Sequence, residues 1–220
     1  SRAIDKERAF SKRRKAVLDW SSYWTLDEIN EWMDSLVTEN PEAVSTFSVG
    51  TSYEGRGIRG VKVNFGNGAN KKSIFFEATI HAVEWIGTTT ATFILNEILH
   101  STDPEVRQIA ERFEWYFLPV FNVDGYAFTW STDRMWRKSR GPTKNILCKG
   151  TDLNRNWDAR FNEFGTNPNP CYPLYAGDQV FSEVETQQLA TFIGTIPQLV
   201  GYFSLHSFGQ FLMFPRGYST

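Results

Sequence analysis

Residues 73–85, with the sequence SIFFEATIHAVEW, decide how the rest of the chain is interpreted. Residues 73–80 are more uniformly apolar than the other predicted strands before them, which predicts a strand that is covered on both faces of a sheet. A second run of this kind spans residues 115–120, and a helical pattern from Thr88 to His100 separates the two. The order strand, helix, strand is typical of parallel strands in an α/β domain. We therefore predict a buried, mainly parallel sheet around these two strands.

The patterns on either side extend this sheet and add helices. A capping box at Thr25 and Glu28 predicts an amphipathic helix that ends near Asn40. The remaining predictions are a hairpin of residues 44–49 and 61–65 near one sheet edge, a helix over 104–112 capped by Asp103, a helix after a capping box at Ser182 and Glu185, and a buried strand over 199–205. The fold class is α/β, with a mixed, mainly parallel central sheet and helices on both faces.

A long segment between residues 122 and 180 lacks these periodic patterns. Gly, Pro and Asn dominate it, but it also contains aromatic residues and charged pairs. A segment of this length in one domain is usually either disordered or functional. We predict an ordered, functional loop.

The bulk composition limits the classes of function. The chain has 220 residues, of which 41% are hydrophobic and 15% aromatic, as expected for one domain with a sizeable core. A net charge of -2 and a pI near 6.0 provide no overall attraction to nucleic acid or to anionic lipid. No run approaches the roughly 20 apolar residues of a membrane span. We expect neither nucleic acid nor membrane as a partner.

Two cysteines, Cys148 and Cys171, lie in the Gly/Pro/Asn-rich segment. That segment needs fastening more than it needs core packing, so we predict a disulfide between them. The chain-entropy model gives about 3 kcal/mol for a loop of this length. A disulfide implies a secreted protein, whereas two unpaired structural thiols in a cytosolic protein are the alternative.

His81 and Glu84 are zinc-ligand types, three residues apart, where the first apolar run stops. Zinc bound by two His and one Glu keeps a fourth position open, so a distant second His is needed. We favour His206, which also follows an apolar run, over His100, which closes a predicted helix. Both chosen histidines then lie at the carboxyl ends of strands, where ligand sites of such sheets occur. Taken alone, a His-x-x-Glu pair also fits a capped or surface pair.

Three further clusters favour a metal site over a capped or surface pair at His81 and Glu84. They are Asn122 to Tyr126, Met135 to Lys138, and Asp152 to Trp157. Together with the two His motifs, they resemble the zinc metallocarboxypeptidase family of the pancreatic carboxypeptidase A and B type. The resemblance runs in order from about Tyr23 to Tyr218. It implies a carboxypeptidase-like fold and a secreted zymogen. It also implies an enzyme with one Zn²⁺ per domain that hydrolyses the C-terminal peptide bond of peptides and proteins.

The resemblance also implies a role for each matching residue. The zinc ligands are His81, Glu84 and His206. Asp152 is the carboxylate that orients the first His, and Arg137 stabilises the oxyanion. The implied substrate-binding residues are Asn154 and Arg155, which grip the terminal carboxylate, and Ser207, Phe208, Met213 and Gly217, which line the subsites. Ordinary surface pairing is the alternative for the arginines.

Two departures from the family pattern shape the expectation for the whole protein. Val83 stands where many members have Arg, and the positions of the general-base glutamate, the lid tyrosine and the base of the specificity pocket lie beyond Thr220. We expect residues 17–220 to be a catalytic domain that is incomplete at its C-terminus, and residues 1–16 to be a tail left from a pro-segment. The expected partners are a substrate with a free C-terminus, the pro-segment and a proteinaceous inhibitor. The alternative is a carboxypeptidase-like protein that binds zinc or a peptide C-terminus without hydrolysis.

Overall fold

A mixed sheet of five strands organises residues 18–66 and 70–215, which the computed structural model describes. The strands are β1 (Val44–Thr51), β2 (Gly57–Val63), β3 (Lys72–Ala78), β4 (Phe113–Leu118) and β5 (Leu199–Leu205), in the spatial order β1-β2-β4-β3-β5. Strand β3 pairs in parallel with β4 and β5, whereas β2 is antiparallel to β1 and β4. Within the described residues β2 alone therefore runs against the others, which confirms the mixed, mainly parallel sheet.

Aromatic side chains cover both faces of the sheet. On one face Phe75 stacks on Tyr116 and lies 6.4 Å, between ring centroids, from Phe192. On the other face Phe76 stacks on Phe117 at 5.0 Å. Phe75 and Phe117 are 0% exposed, and full burial of one such side chain contributes about 1.5–3 kcal/mol.

Five α-helices of the described chain pack around this sheet. They are α1 (Leu26–Glu39), α2 (Trp85–His100), α3 (Pro104–Arg112), α4 (Val123–Ser131) and α5 (Val184–Ile193). Phe192 places α5 against the Phe75 face. On the Phe76 face, the Trp115 Nε1 atom donates to the Ala110 carbonyl of α3 at 2.9 Å. Helices on both faces are thus confirmed. No helix among the described residues has the length and apolarity needed to cross a lipid bilayer.

The predicted caps of α1 and α3 are present. Thr25 and Glu28 bond reciprocally as a capping box, and Asp103 accepts hydrogen bonds from the backbone of the first turn of α3. Helix α2 begins at Trp85, three residues before the predicted start. Its N-cap, Glu84, makes no side-chain cap, because the carboxylate bonds to histidines instead. The sequence therefore contains no capping signal at this helix start.

Three predictions about elements are wrong. The segment predicted as irregular begins with α4, whose N-cap Asn122 accepts from the Gly125 N–H at 3.0 Å. The capping box at Ser182 and Glu185 does not form, since the Glu185 carboxylate accepts from the Tyr53 N–H of the β1–β2 turn. Strand β5 is half-exposed rather than buried, with Tyr202 at 40% exposure, because it is the edge strand of the described sheet.

Candidate metal and substrate site

His81, Glu84 and His206 converge at the carboxyl edge of the sheet. His81 and Glu84 lie on the turn between β3 and α2, and His206 follows β5. Because β3 and β5 are parallel neighbours, their carboxyl ends meet. The two Glu84 oxygens lie 2.9 Å from His81 Nδ1 and 3.0 Å from His206 Nδ1. His100 is an exposed residue at the end of α2.

Asp152 holds the far side of the His81 ring. Its Oδ1 atom lies 3.1 Å from His81 Nε2, and its Oδ2 atom accepts from Arg137 Nε at 3.2 Å and Nη2 at 2.9 Å. Asp152 is 0% exposed. Without a metal, the hydrogen bond to Glu84 requires a proton on His81 Nδ1. In the neutral ring that ligates a metal, the proton stays on Nε2, where the Asp152 carboxylate accepts it, and the Nδ1 lone pair faces the position of the metal.

Both carboxylates of this cluster are ionised. Burial alone would raise the pKa of Glu84, but hydrogen bonds with His206 and His81 outweigh burial and lower the pKa to about 2. Burial would likewise raise the pKa of Asp152, yet its contacts with His81 and Arg137 lower it to about 2. A carboxylate that binds a metal and a carboxylate that orients a histidine ligand both act in the ionised form.

The three side chains fit a zinc ion. One ligand atom from each of them lies within 4.8 Å of the other two. Two imidazoles and one carboxylate are a donor set that Zn²⁺ binds at about 2 Å, with a fourth position left open. Both thiols of the chain are bonded to each other, as a Cys148–Cys171 disulfide with Cα atoms 5.0 Å apart. This pair confirms the predicted disulfide and leaves nitrogen and oxygen as the donors.

Arg137 lies beside this group. Its Nη1 atom is 3.7 Å from Glu84 Oε1, and its side chain is 25% exposed. The Arg137 carbonyl accepts from the Ala82 N–H at 3.0 Å, which ties its loop to the turn that bears the ligands. Asp152 and this backbone bond fix the guanidinium at the rim of the metal site.

Asn154 and Arg155 border a cavity of about 680 Å³, and Asn154 Nδ2 lies 3.5 Å from His206 Nε2. Arg155 Nε donates to the Gly165 carbonyl at 2.8 Å, and Nη1 donates to the Asn154 carbonyl at 2.9 Å. An arginine has five N–H donors, so two bonds to carbonyls do not exhaust them. The cavity therefore has a cationic, hydrogen-bonding wall close to the metal position.

The comparisons with known proteins give the family. The zinc carboxypeptidase family model matches residues 29–220. This chain belongs to the zinc carboxypeptidase family. A relative of Anopheles gambiae, zinc carboxypeptidase A 1, is 44% identical over 99% of this chain. The match covers 50% of that relative, so this carboxypeptidase chain spans about half the length of the relative.

Solved structures agree on the fold. The crystal structure of thrombin activatable fibrinolysis inhibitor superposes with a TM-score of 0.88 at 29% identity, over 94% of this chain and 53% of that one. The bovine form of that protein, in complex with tick carboxypeptidase inhibitor, gives a TM-score of 0.77 at 31% identity, over 87% and 62%. The described part of this carboxypeptidase chain therefore has the family's fold.

The remaining predicted site residues have fewer contacts. The Ser207 N–H donates to Glu84 Oε2 at 3.2 Å, so Ser207 adjoins the metal group. Phe208 is 99% exposed and Met213 is 75% exposed, so neither forms a pocket wall with the described residues. Gly217 lies outside the described residues. Their subsite roles remain predictions.

Two residues of the site escaped the sequence reasoning. Ser204 Oγ lies 3.1 Å from His206 Nε2 and donates to Glu77 Oε2 at 2.7 Å. Glu77 is a single charged residue inside the apolar run that forms β3, and Ser204 lies two residues before His206 on β5. A charge in a buried strand, and a hydroxyl at the spacing that shares a strand face, were the available signals.

Proposed function

We propose that the protein carrying this chain is a secreted, zinc-dependent exopeptidase that hydrolyses the C-terminal peptide bond of peptides and proteins. The observation that carries the proposal is the arrangement of three zinc-ligand side chains beside Arg137 and next to a cavity bordered by Asn154 and Arg155. The intramolecular disulfide supports secretion. Family membership supports the type of reaction.

Each residue then has a defined task. His81, Glu84 and His206 hold the Zn²⁺, which supplies Lewis-acid chemistry when bound. The Arg137 guanidinium, held by Asp152, stabilises negative charge that develops on the scissile carbonyl oxygen. A fixed cation at a partly dry site is worth far more there than in water.

Asn154 and Arg155 select the chain end. The planar fork of an arginine can donate to both oxygens of a terminal carboxylate, which an internal peptide bond lacks. This clamp would make the enzyme an exopeptidase. Ser207, Phe208, Met213 and Gly217 are assigned to the subsites, residues 17–220 to part of the catalytic domain, and residues 1–16 to a tail left from a pro-segment.

A free peptide C-terminus is therefore the proposed substrate, and the pro-segment is a partner before activation. A proteinaceous inhibitor is a further proposed partner, because the bovine relative was solved with tick carboxypeptidase inhibitor bound. Such an inhibitor would have to reach the exposed side of the site, where Asn154 and His206 lie.

The proposal is tested with Arg155→Ala. One charge-assisted hydrogen bond contributes about 1.5–3 kcal/mol, so KM for a peptide with a free C-terminus should rise about 10- to 150-fold. Turnover of the matched C-terminal amide should change little. Arg155→Lys keeps the positive charge without the planar fork, so its KM for the free-carboxylate peptide should lie between those of the wild type and Arg155→Ala. Substrates ending in Phe and in Lys cover apolar and basic specificity.

If Arg155→Ala had equal effects on the hydrolysis of the free-carboxylate peptide and of the amide, Arg155 would not bind the terminal carboxylate. A zinc-loaded protein that binds such peptides but releases no terminal residue would replace the enzyme by a binding protein.

A further inference from the structure

Three side chains are connected in a row: Glu77 on β3, Ser204 on the neighbouring strand β5, and His206 directly after β5. The Ser204 hydroxyl donates to Glu77 Oε2 at 2.7 Å and lies 3.1 Å from His206 Nε2. Glu77 is 0% exposed and belongs to β3, an interior strand between β4 and β5. The row therefore links the ring of a candidate metal ligand to a carboxylate fixed in the core.

The hydrogen-bond donors and acceptors in this row determine which ring nitrogen of His206 carries the proton. A serine hydroxyl has one proton, and Ser204 gives it to Glu77, so its oxygen can only accept from the ring. In the neutral ring that metal ligation requires, the proton then lies on Nε2 and the lone pair on Nδ1. Nδ1 is the atom that lies 3.0 Å from Glu84 Oε2, on the metal side.

We propose that Glu77, acting through Ser204, is a positioning residue that fixes the tautomer and the ring orientation of His206 for zinc binding. The proposal rests on the proposed zinc site. The two candidate histidine ligands are then oriented in similar ways. Asp152 accepts directly from Nε2 of His81, whereas Glu77 is connected to Nε2 of His206 through the Ser204 hydroxyl. Mutation of a group that orients a metal ligand in this way commonly lowers metal affinity about 10- to 100-fold.

A competing contact is weaker. Asn154 Nδ2 lies 3.5 Å from His206 Nε2 and could donate to it only in the opposite tautomer. The Ser204 contact is shorter, at 3.1 Å, and Ser204 is itself oriented by a buried carboxylate. Glu77 Oε2 also accepts from the Tyr202 hydroxyl at 3.2 Å, so this oxygen is an acceptor whichever protonation state the other oxygen has.

The first experiment measures zinc affinity of the full protein by competition with a chromogenic chelator. Ser204→Ala should weaken zinc binding about 10- to 100-fold. Ser204→Thr keeps the hydroxyl and should restore the wild-type affinity. The matched control is Tyr202→Phe, which removes the other hydroxyl bonded to Glu77 but leaves the link to His206, so its affinity should equal that of the wild type.

A double-mutant cycle tests Glu77 itself. Glu77→Leu should weaken zinc binding in the wild-type background and add no further loss to Ser204→Ala, because both changes break one row. The Ser204 variants test the row even if Glu77→Leu does not fold. NMR of ¹⁵N-histidine-labelled, zinc-loaded protein supplies a second readout, in which the Nε2 proton of His206 exchanges with solvent faster in Ser204→Ala than in Tyr202→Phe.

Wild-type zinc affinity in Ser204→Ala, with unchanged proton exchange, would overturn the positioning role while leaving the proposed exopeptidase intact. Equal losses in Ser204→Ala and Tyr202→Phe would also overturn it, since general strand damage would then explain both. A wild-type protein that binds no zinc would overturn the proposed function and this inference together.

Discussion

Two clusters of this chain each contain a buried glutamate whose pKa is displaced, and the two displacements have opposite directions. In the metal cluster (His81, Glu84, Asp152 and His206), the hydrogen bonds and charges of His206 and His81 overcome burial and lower the pKa of Glu84 to about 2. In the hairpin cluster (Asp124, Glu183 and Glu185), the pKa of Glu185 is raised to about 7. The contacts of a buried carboxylate, more than its depth, determine its charge.

The partners explain the contrast. Glu185 Oε1 accepts one hydrogen bond, from the Tyr53 N–H at 3.0 Å, and its Oε2 atom is buried without a hydrogen-bond partner among the described residues. Burial raises its pKa most, the backbone hydrogen bonds offset only part, and the nearby charges of Glu183 and Asp124 raise it further. Burial alone does not distinguish the two clusters, because Asp152 is 0% exposed and Glu185 is 2% exposed.

The largest expected effect comes from removing a ligand of the metal cluster. His206→Ala deletes one of three ligands, so zinc affinity should fall by more than about 100-fold, beyond the loss typical of a residue that only orients a ligand. Metal content after dialysis against a weak chelator measures the loss. The control is His100→Ala, which changes an exposed histidine at the end of α2. Stoichiometric zinc in His206→Ala would remove His206 from the metal cluster.

The three candidate ligands of the metal cluster were predictable because they follow strands, whereas the role of Asp152 came from the family resemblance. His81 and His206 both follow apolar runs, and the carboxyl ends of parallel neighbours meet at one edge. The capping box of α1 was also predictable, since Thr25 and Glu28 are three residues apart and each bonds to the backbone of the other. Local signals of this kind do not depend on the rest of the chain.

The hairpin cluster was not predictable for the opposite reason. Ser182 and Glu185 have the spacing of a capping box, yet the Glu185 carboxylate bonds to a residue 132 positions away in the sequence. The exposure of β5 depends on the spatial order of the strands, which single-strand patterns do not contain. Helix α4 was missed because Val123, Tyr126 and other residues are buried around it, so it lacks an amphipathic period.

A second test removes the ionisable group of Glu185 from the hairpin cluster. Glu185→Gln keeps an acceptor for the Tyr53 N–H but cannot ionise. Since the pKa of Glu185 rises from 4.5 to about 7 on folding, its favourable contribution is complete below the lower value and is lost as the pH rises through the upper one. The variant should therefore unfold with a free energy about 3 kcal/mol higher than the wild type at alkaline pH, and no higher under acid conditions.

Urea unfolding of both proteins at about pH 4 and about pH 8 measures this difference. A Gln variant that is less stable than the wild type at the higher pH would show that Glu185 is ionised and paired there. The contrast between the two clusters would then fail.

The same type of substitution in the metal cluster should have the opposite sign. Asp152→Asn preserves shape but removes the charge that orients His81 and one acceptor of Arg137, so zinc affinity should fall about 10- to 100-fold. Chelator competition measures it, and Asp158→Asn, at an exposed carboxylate of the same segment, is the control. If Asp152→Asn binds zinc as tightly as the control does, the lowered pKa of Asp152 reflects an ion pair with Arg137 alone. A loss in Asp152→Asn together with a gain of stability in Glu185→Gln would establish that the two buried clusters differ in the charge they are built to carry.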